Sequence, residues 1–418
     1  MTLEEARMQF PQLEERVYGK PLVYLDHAAT SLRPLSVVRC WEECSLKRNA
    51  NLHRAVHFMA AQATEAYEAA RAAVADYIGA ASPREIVFTS GATASINLLA
   101  ASLGRAFYSG GALQAEPWLK PGDRILVAES EHHSDIVPWQ LLCERLGTQL
   151  EVLPVEEDGT YSLERLARRL ENGVKLFCIA QISNVLGVIN PIADMAQFCH
   201  ATDCRILVDG AQGAVHLPID VQALGIDYYV FSGHKLYAAP GTGVLYARAE
   251  LLEQLPPYMG GGEMIGTVRW SGSTWAEVPH RFEAGTQNLA GVPTFVPALS
   301  LLRALREGPL EGHFRALRDR VWDRLKAIPG LRIFGAPADR EKKIALFSFS
   351  VEGVHHEDLA LILDKMGIAV RSGQMCAEPL MDRYAVTGML RASFAPFNTM
   401  EEADYFVDSL EKAIGMLR

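Results

Sequence analysis

Lys235 is the side chain with the clearest chemical use in this sequence. Its amine comes after a short apolar run at 228–231 and directly after Ser232, Gly233 and His234. A lysine amine at the end of a buried strand can form an imine with an aldehyde cofactor, and pyridoxal phosphate is the aldehyde that uses this chemistry. A single lysine in such a position is more often a solvated surface residue. The assignment therefore depends on the residues that would surround the cofactor.

Pyridoxal phosphate also needs an acid beside its ring nitrogen, donors for its phosphate and a group against its ring face. Asp209 is the predicted acid, which would keep the ring nitrogen protonated. Ala92 and Thr93 open a predicted helix, whose amides and dipole favour a phosphate. The other candidates are Ser232 and His234 for the phosphate, His132 for the ring face and for proton transfer, Gln212 for the ring oxygen, and Asn184 for the ring or the substrate. Gln212 and Asn184 also suit purely structural hydrogen bonds, and we predict no chemical role for His133.

These residues lie at the ends of predicted strands. Short apolar runs alternate with longer amphipathic stretches between about 85 and 248, which is typical of βαβ units and a mostly parallel sheet. Ligands of such sheets bind beyond the carboxyl ends of the strands. The predicted strands are 85–89, 124–128, 176–182, 205–208, 228–231 and 243–247, and the predicted helices are 94–106, 162–172 and 191–202. A surface loop is predicted at 110–121.

The pattern changes after about residue 295, where we predict a second, smaller domain. It contains predicted helices at 296–306 and 314–327 and predicted strands at 344–351 and 368–370. A chain of 418 residues also exceeds what one hydrophobic core usually supports. The predicted organisation is an N-terminal arm (1–22) packing on the small domain, a large cofactor-binding domain (23–295) and a small C-terminal domain (296–418).

Composition excludes several classes of protein. The formal net charge of −10, from 50 acidic and 40 basic residues, argues against a nucleic-acid-binding surface. We find no apolar run long enough to span a membrane, and the acidic N-terminus does not resemble a signal or transit peptide, so we expect a cytoplasmic protein without a membrane partner. The seven cysteines form no CxxC pair and are expected to be reduced thiols, without a metal site.

Several motifs together resemble the group II cysteine desulfurases, of the Suf and Csd kind, within the class V aminotransferase group of fold-type I pyridoxal-phosphate enzymes. The motifs are Tyr24-Leu25-Asp26-His27-Ala28-Ala29, His132-His133, Val208-Asp209-Gly210-Ala211-Gln212, Phe231-Ser232-Gly233-His234-Lys235-Leu236-Tyr237, Arg371-Ser372-Gly373-Gln374-Met375-Cys376-Ala377 and Leu390-Arg391-Ala392-Ser393. The block around Lys235 and the block around Cys376, in this order, form a specific pair. The resemblance implies an α/β fold, with a mostly parallel seven-stranded sheet in the large domain and a smaller α+β C-terminal domain.

The resemblance also implies an activity. Lys235 and His132 would move protons, and Cys376 would attack the sulfur of L-cysteine, so that alanine leaves and a persulfide remains on Cys376. Arg391 would clamp the substrate carboxylate, with Ala28 as a further substrate contact. Arg371 would either favour the Cys376 thiolate or anchor its loop.

Partners are implied in the same way. Thr286 would reach the phosphate of the partner subunit in a homodimer. The persulfide sulfur would pass to a small acceptor protein of the SufE, CsdE or SufU kind, often for iron–sulfur cluster assembly. The chain departs from the family pattern at Ala92 and Ala94, which lack a hydroxyl and a carboxylate, at Met375, where many relatives have a histidine, and in the longer loop 110–121.

Other activities remain open at this point. Selenocysteine lyase and cysteine sulfinate desulfinase can share every cofactor residue and have less need of Cys376. An aminotransferase or a kynureninase-like enzyme predicts no special role for any cysteine, and the run from Arg371 to Ala377 argues against it. A catalytically silent scaffold is disfavoured because Lys235, Asp209, His132 and Cys376 occur together.

Overall fold

The computed structural model describes residues 1–53, 56–108 and 117–418, with the side chains of 106–108 left aside. Most of the predicted loop 110–121, namely 110–116, lies outside the described residues. The α-helices are α1 Leu3–Arg7, α2 Leu35–Lys47, α3 Phe58–Ile78, α4 Ala92–Tyr108, α5 Val137–Leu146, α6 Leu163–Leu170, α7 Ile192–His200, α8 Gly213–His216, α9 Ala249–Glu253, α10 Phe295–Arg306, α11 Pro309–Ala327, α12 His356–Lys365, α13 Glu378–Tyr384 and α14 Met400–Leu417. None of the helices in these ranges is long and apolar enough to cross a membrane.

The strands form one large sheet, one smaller sheet and three short pairs. They are β1 Arg16–Val17, β2 Lys20–Pro21, β3 Val23–Tyr24, β4 Ile86–Thr89, β5 Arg124–Ala128, β6 Gln149–Leu153, β7 Val174–Ala180, β8 Arg205–Asp209, β9 Tyr228–Ser232, β10 Gly243–Ala247, β11 Ile265–Arg269, β12 Gly272–Trp275, β13 Leu331–Phe334, β14 Leu346–Val351, β15 Ile368–Ala369, β16 Arg371–Gly373 and β17 Met389–Ser393. Short 3-10 turns also follow some strands, including His133–Asp135 after β5 and Gly233–Lys235 after β9.

The large sheet has seven strands in the order β4-β10-β9-β8-β7-β5-β6. Five neighbouring strands, β9, β8, β7, β5 and β6, run parallel to one another. Strand β10 runs antiparallel to both of its neighbours, β4 and β9. The predicted α/β fold with a mostly parallel seven-stranded sheet is therefore confirmed. Strand β6 was not predicted, because this edge strand has mostly exposed or half-buried side chains and lacks the continuous apolar run of the central strands.

The central strands are apolar along their whole length because helices cover both faces of the sheet. Every residue of β9 and β10 is buried. One core cluster includes Phe177 and Phe231, and a second includes Val127 and Val230, so that successive residues of the same strands point into opposite cores. This packing fixes the carboxyl ends of the strands, where the candidate residues lie.

The smaller sheet is antiparallel, in the order β13-β14-β17-β16. Its core contains Leu317, Trp322, Phe347 and Phe406, contributed in part by α11 and α14. In the N-terminal segment, β3 pairs in parallel with β15, and Phe10 stacks on Phe397 with ring centroids 4.1 Å apart. The first residues of the chain therefore pack against the C-terminal part.

Lys343 is a buried lysine in the segment that precedes β14. It is 1% exposed, its Nζ donates to the carbonyl of Leu186, and it lies 5.6 Å from the ring centroids of Trp322 and Phe347. Burial lowers the pKa of its amine to about 7. The folded protein therefore holds this amine largely uncharged above neutral pH, whereas the unfolded chain keeps it protonated.

Lys343→Met should alter how stability depends on pH. Between about pH 7 and the ordinary lysine pKa, the unfolded chain binds a proton that the folded chain does not, so Lys343 makes the free energy of unfolding rise with pH. Between pH 7 and 9.5, the free energy of unfolding of the parent protein should rise by on the order of 3 kcal/mol more than that of the variant. Urea unfolding of both proteins across this range measures the effect. An equal pH slope for the two proteins would contradict it.

Candidate active site

One cavity, of ≈ 180 Å³, lies at the carboxyl ends of the large-sheet strands and is closed on one side by β16 and β17. The structure brings nearly all the predicted site residues to its wall: Ala28, Ala92, Thr93, His132, Asn184, Asp209, Gln212, Ser232, His234, Lys235, Arg371, Cys376 and Arg391. Thr286 does not line this cavity. Thr286 is exposed, and its contact with a partner subunit remains a prediction.

Lys235 and Asp209 project from neighbouring strands. Asp209 is the last residue of β8, and Lys235 ends the 3-10 turn after β9. Burial lowers the pKa of the Lys235 amine, opposed by the nearby Asp209 carboxylate. Burial likewise raises the pKa of Asp209, opposed by Lys235. Asp209 Oδ1 accepts a hydrogen bond from the amide of Ala211 at 2.8 Å, which fixes the carboxylate towards the cavity.

The start of α4 forms the end of the cavity suited to an anion. The amide of Ala92 donates to Ser232 Oγ at 2.9 Å, which joins this helix to the end of β9. The next amides of the first turn have no acceptor within the helix, as at every helix N-terminus. Gly91 and Gly243 allow two backbone segments to approach closely here, since a Cβ on Gly243 would lie 2.3 Å from the Gly91 Cα. His234 is held beside the cavity by a 3.1 Å contact between its Nδ1 and Thr30 Oγ1.

His132 is oriented by its own turn. The amide of Ser134 donates to His132 Nδ1 at 3.1 Å, and the hydroxyl of Ser134 lies 2.7 Å from the same nitrogen. In the neutral imidazole this arrangement places the proton on Nε2. Burial, with Lys235 as the next cause, lowers the pKa of His132 to about 4. The ring is therefore a neutral group at physiological pH, able to accept a proton.

Arg391 is 2% exposed and is held from two sides. Its Nη1 donates to the carbonyl of Asn184 at 2.8 Å, and its Nη2 donates to Asp26 Oδ1 at 3.0 Å. Its Nε is buried without a hydrogen-bond partner among the described residues. A buried guanidinium with a free donor is the kind of group that binds a substrate carboxylate. Arg371 pairs with Arg391 across β16 and β17, and its Nη1 lies 3.9 Å from Asp26 Oδ2.

Cys376 lies in a loop between β16 and α13, and its backbone is left-handed, with a φ of +57°. Met375 before it is also left-handed, with a φ of +55°. Two consecutive non-glycine residues in this region persist only when their surroundings hold them. The Nδ2 of Asn184 donates to the Met375 carbonyl at 2.9 Å, and the amide of His133 donates to the Cys376 carbonyl at 2.8 Å. The loop is therefore fixed to the large-sheet side of the cavity.

Two further residues hold this arrangement in place. His133, which we predicted to have no chemical role, anchors the loop a second time, since its Nε2 accepts from the amide of Glu378 at 3.1 Å. Met375, 4% exposed, packs its side chain into the large-sheet core. The residue that replaces the histidine of many relatives therefore acts as an apolar anchor beside Cys376.

Asp26 and Ser393 were missed as site residues. Asp26 contacts both arginines, and Ser393 Oγ accepts from the amide of Ala28 at 2.9 Å. Gln212 completes this side of the site, because its Nε2 donates to the carbonyl of Ala28 at 2.8 Å. No spacing pattern predicts these contacts, since Asp26 and Arg391 are 365 residues apart.

Asn184→Ala should loosen the Cys376 loop without emptying the site. The change removes the hydrogen bond to the Met375 carbonyl but leaves the backbone carbonyl that accepts from Arg391. Loss of one buried hydrogen bond from a strained loop should lower the rate of any reaction that uses Cys376 about 10-fold. Asn172→Ala, on the surface beyond α6, is the matched control. Equal rates for Asn184→Ala and the control would show that Asn184 does not hold the loop.

Comparison with known proteins defines the family. The family model for class V aminotransferases matches residues 23–406. The chain belongs to this family. A cysteine desulfurase of Klebsiella pneumoniae is 43% identical to it over 412 residues, with 98% of each chain covered, and one of Cronobacter sakazakii is 42% identical over 410 residues, covering 98% of this chain and 97% of the relative.

Solved structures of class V relatives agree with this membership. The cysteine desulfurase CsdA of Escherichia coli superimposes with a TM-score of 0.88, at 38% identity and with 100% of both chains covered. A cysteine desulfurase of Thermococcus onnurineus NA1 gives a TM-score of 0.91, at 35% identity, over 99% of this chain and 98% of that one. The predicted resemblance to the cysteine desulfurases of the class V group is therefore confirmed.

Proposed function

We propose that this protein is a pyridoxal-phosphate-dependent cysteine desulfurase that removes sulfur from L-cysteine and receives it on Cys376. The observation that carries the proposal is that Lys235, Asp209 and Cys376 line one cavity, although they come from three separate segments of the chain. Full-length relatives at 41–43% identity that are named cysteine desulfurase support the same activity.

The residues of the cavity fit the cofactor. Lys235 would hold it covalently through its amine, Asp209 would contact the ring nitrogen, and His132 would lie against the ring face. Ala92, Thr93, Ser232 and His234 would bind the phosphate, helped by the N-terminus of α4 and by the close approach of Gly91 to Gly243. Gln212 would contact the ring oxygen, and Thr286 the phosphate of the partner subunit. When bound, the cofactor supplies an electron sink for the substrate carbon atoms.

The side chains of the cavity would bind the substrate, transfer protons and accept the sulfur. Arg391 would bind the substrate carboxylate, with Asn184, Ala28 and Arg371 around it. Lys235 Nζ and His132 Nε2 would accept and return protons, which suits the lowered pKa values of both groups. The Cys376 thiolate would attack the substrate sulfur, forming an S–S bond while the C–S bond breaks. The electron pair of that bond stays with the carbon skeleton, which takes up a proton and leaves as alanine.

We further propose the division into an arm (1–22), a large domain (23–295) and a small domain (296–418). The contact of Phe10 with Phe397 and the separate core of the smaller sheet support it. A homodimer and a sulfur acceptor of the SufE, CsdE or SufU kind are proposed on the family resemblance. A cytoplasmic location is proposed because all seven cysteines are free thiols, which a reducing compartment preserves.

Purified protein loaded with pyridoxal phosphate tests the proposed activity directly. With L-cysteine and a thiol reductant, it should form alanine and sulfide in equal amounts. Without reductant, one sulfur atom should remain bound to Cys376 and be detected by mass spectrometry of the intact protein. A cofactor-loaded protein that forms no alanine from L-cysteine would refute the proposal.

A further inference from the structure

Two carboxyl groups lie buried behind His132. Glu131 and Asp135 are both 0% exposed and stand on either side of the turn that carries His132 and Ser134. Glu131 Oε1 accepts from the amide of Ala180, at the end of β7, at 2.7 Å. Asp135 Oδ1 accepts from the indole Nε1 of Trp139, in α5, at 2.8 Å. One oxygen of each group is thus fixed to a different element of the fold.

The second oxygen of each acid, Glu131 Oε2 and Asp135 Oδ2, is buried and has no donor among the described residues. The two side chains lie within hydrogen-bond reach of each other. The titratable groups that face the pair are Asp209, Tyr161 and Cys178, none of which is a cation. Two ionised carboxylates buried in contact, with no cation among the groups that face them, would repel each other strongly.

We propose that Glu131 and Asp135 share one proton and that the resulting hydrogen bond positions the His132 turn. The bond would close the turn between the end of β7 and the start of α5. Since Ser134, between the two acids, holds His132 Nδ1, the position of the turn sets the position of the imidazole. The two acids do not line the cavity, so they act as positioning residues through His132. This catalytic consequence rests on the proposed function, whereas the shared proton does not.

A shared proton has a signature in stability. Burial raises the pKa of both groups well above their ordinary values, and the neighbouring carboxylates add to it, Asp135 at Glu131 and Asp209 at Asp135. The folded protein therefore retains a proton that the unfolded chain releases above about pH 4. The contribution of this pair to the free energy of unfolding therefore falls as pH rises through the neutral range. An amide in place of one acid supplies a permanent donor and removes this titration.

Three variants test the proposal in the cofactor-loaded protein. Asp135→Asn and Glu131→Gln each keep the hydrogen bond, with an amide in place of the proton. Asp135→Leu keeps the branched shape of the side chain and removes the bond. The urea concentration at the midpoint of unfolding should be higher for each amide variant than for the parent. This difference should increase from pH 5 to pH 9. A gain that stays constant across this range in either amide variant would overturn the shared proton.

Desulfurase kinetics test the positioning role. Asp135→Asn should keep kcat for L-cysteine within about 3-fold, whereas Asp135→Leu should lose about 10- to 100-fold in kcat with little change in KM. Equal losses in both would overturn the positioning role. If Asp135→Leu does not fold, parental kcat in both amide variants supports the role and a 10-fold loss in either overturns it. A parent protein without desulfurase activity would refute the proposed function, but the urea experiment would still decide the shared proton.

Discussion

Lys235→Ala should give a protein that folds but no longer holds its cofactor covalently. Lys235 lines the cavity, and a positioned proton-transfer group alone contributes about 10²–10⁴-fold to a rate. Since Lys235 would both hold the cofactor and move protons, its loss should lower alanine formation from L-cysteine by at least about 10³-fold, which corresponds to about 4 kcal/mol in the barrier. The visible absorption band of lysine-bound pyridoxal phosphate should disappear from the purified protein.

The chain offers a control in Lys343, a second lysine whose pKa is lowered by burial. Lys343 is also enclosed, with a lowered pKa, but it lies against Trp322 and Phe347 and outside the cavity. Lys343→Met should keep the visible band and the parent rate at a temperature where the variant is folded. Retention of the band and of turnover in Lys235→Ala would rule out the assigned role of Lys235.

The sequence predicted the cavity well because parallel sheets impose a simple rule. Asp209 and Lys235 follow apolar runs, and such runs become buried strands whose carboxyl ends meet at one edge. Apolar runs also predicted the bounds of β5 and β10, and the structure has both strands at the predicted residues. The edge strand β6 was missed because half of its surface faces solvent and its residues alternate only weakly.

Contacts between distant segments could not be predicted in this way. Asp26 reaches Arg391 only because β3 pairs with β15 and brings the start of the chain to the smaller sheet. Likewise, His133 holds the Cys376 loop through a backbone amide, and a backbone contact leaves no trace in residue type. The left-handed backbone at Met375 and Cys376 could not be predicted either, since neither residue is a glycine.

Cys376→Ala should nearly abolish alanine formation from L-cysteine while leaving the cofactor in place. Cys376 would be the nucleophile that takes the sulfur, and its removal leaves the cavity without a group that can break the C–S bond by attack at sulfur. A loss of at least about 10²-fold is expected, equivalent to about 3 kcal/mol. The visible band should be unchanged, because Lys235 and Asp209 are untouched. Alanine quantified by chromatography gives the rate.

The same variant separates the alternatives that share the cofactor site. Selenium and sulfite leave without capture by a thiol, so a selenocysteine lyase or a cysteine sulfinate desulfinase would keep its rate on its own substrate in Cys376→Ala. Cys40→Ala, on α2 and outside the cavity, is the control for loss of a half-buried thiol and should match the parent. Release of sulfur from L-cysteine by Cys376→Ala at the parent rate would contradict the proposed mechanism. A loss on L-cysteine with full activity on cysteine sulfinate would instead show that one cavity supports both reactions and that only the first needs the thiol.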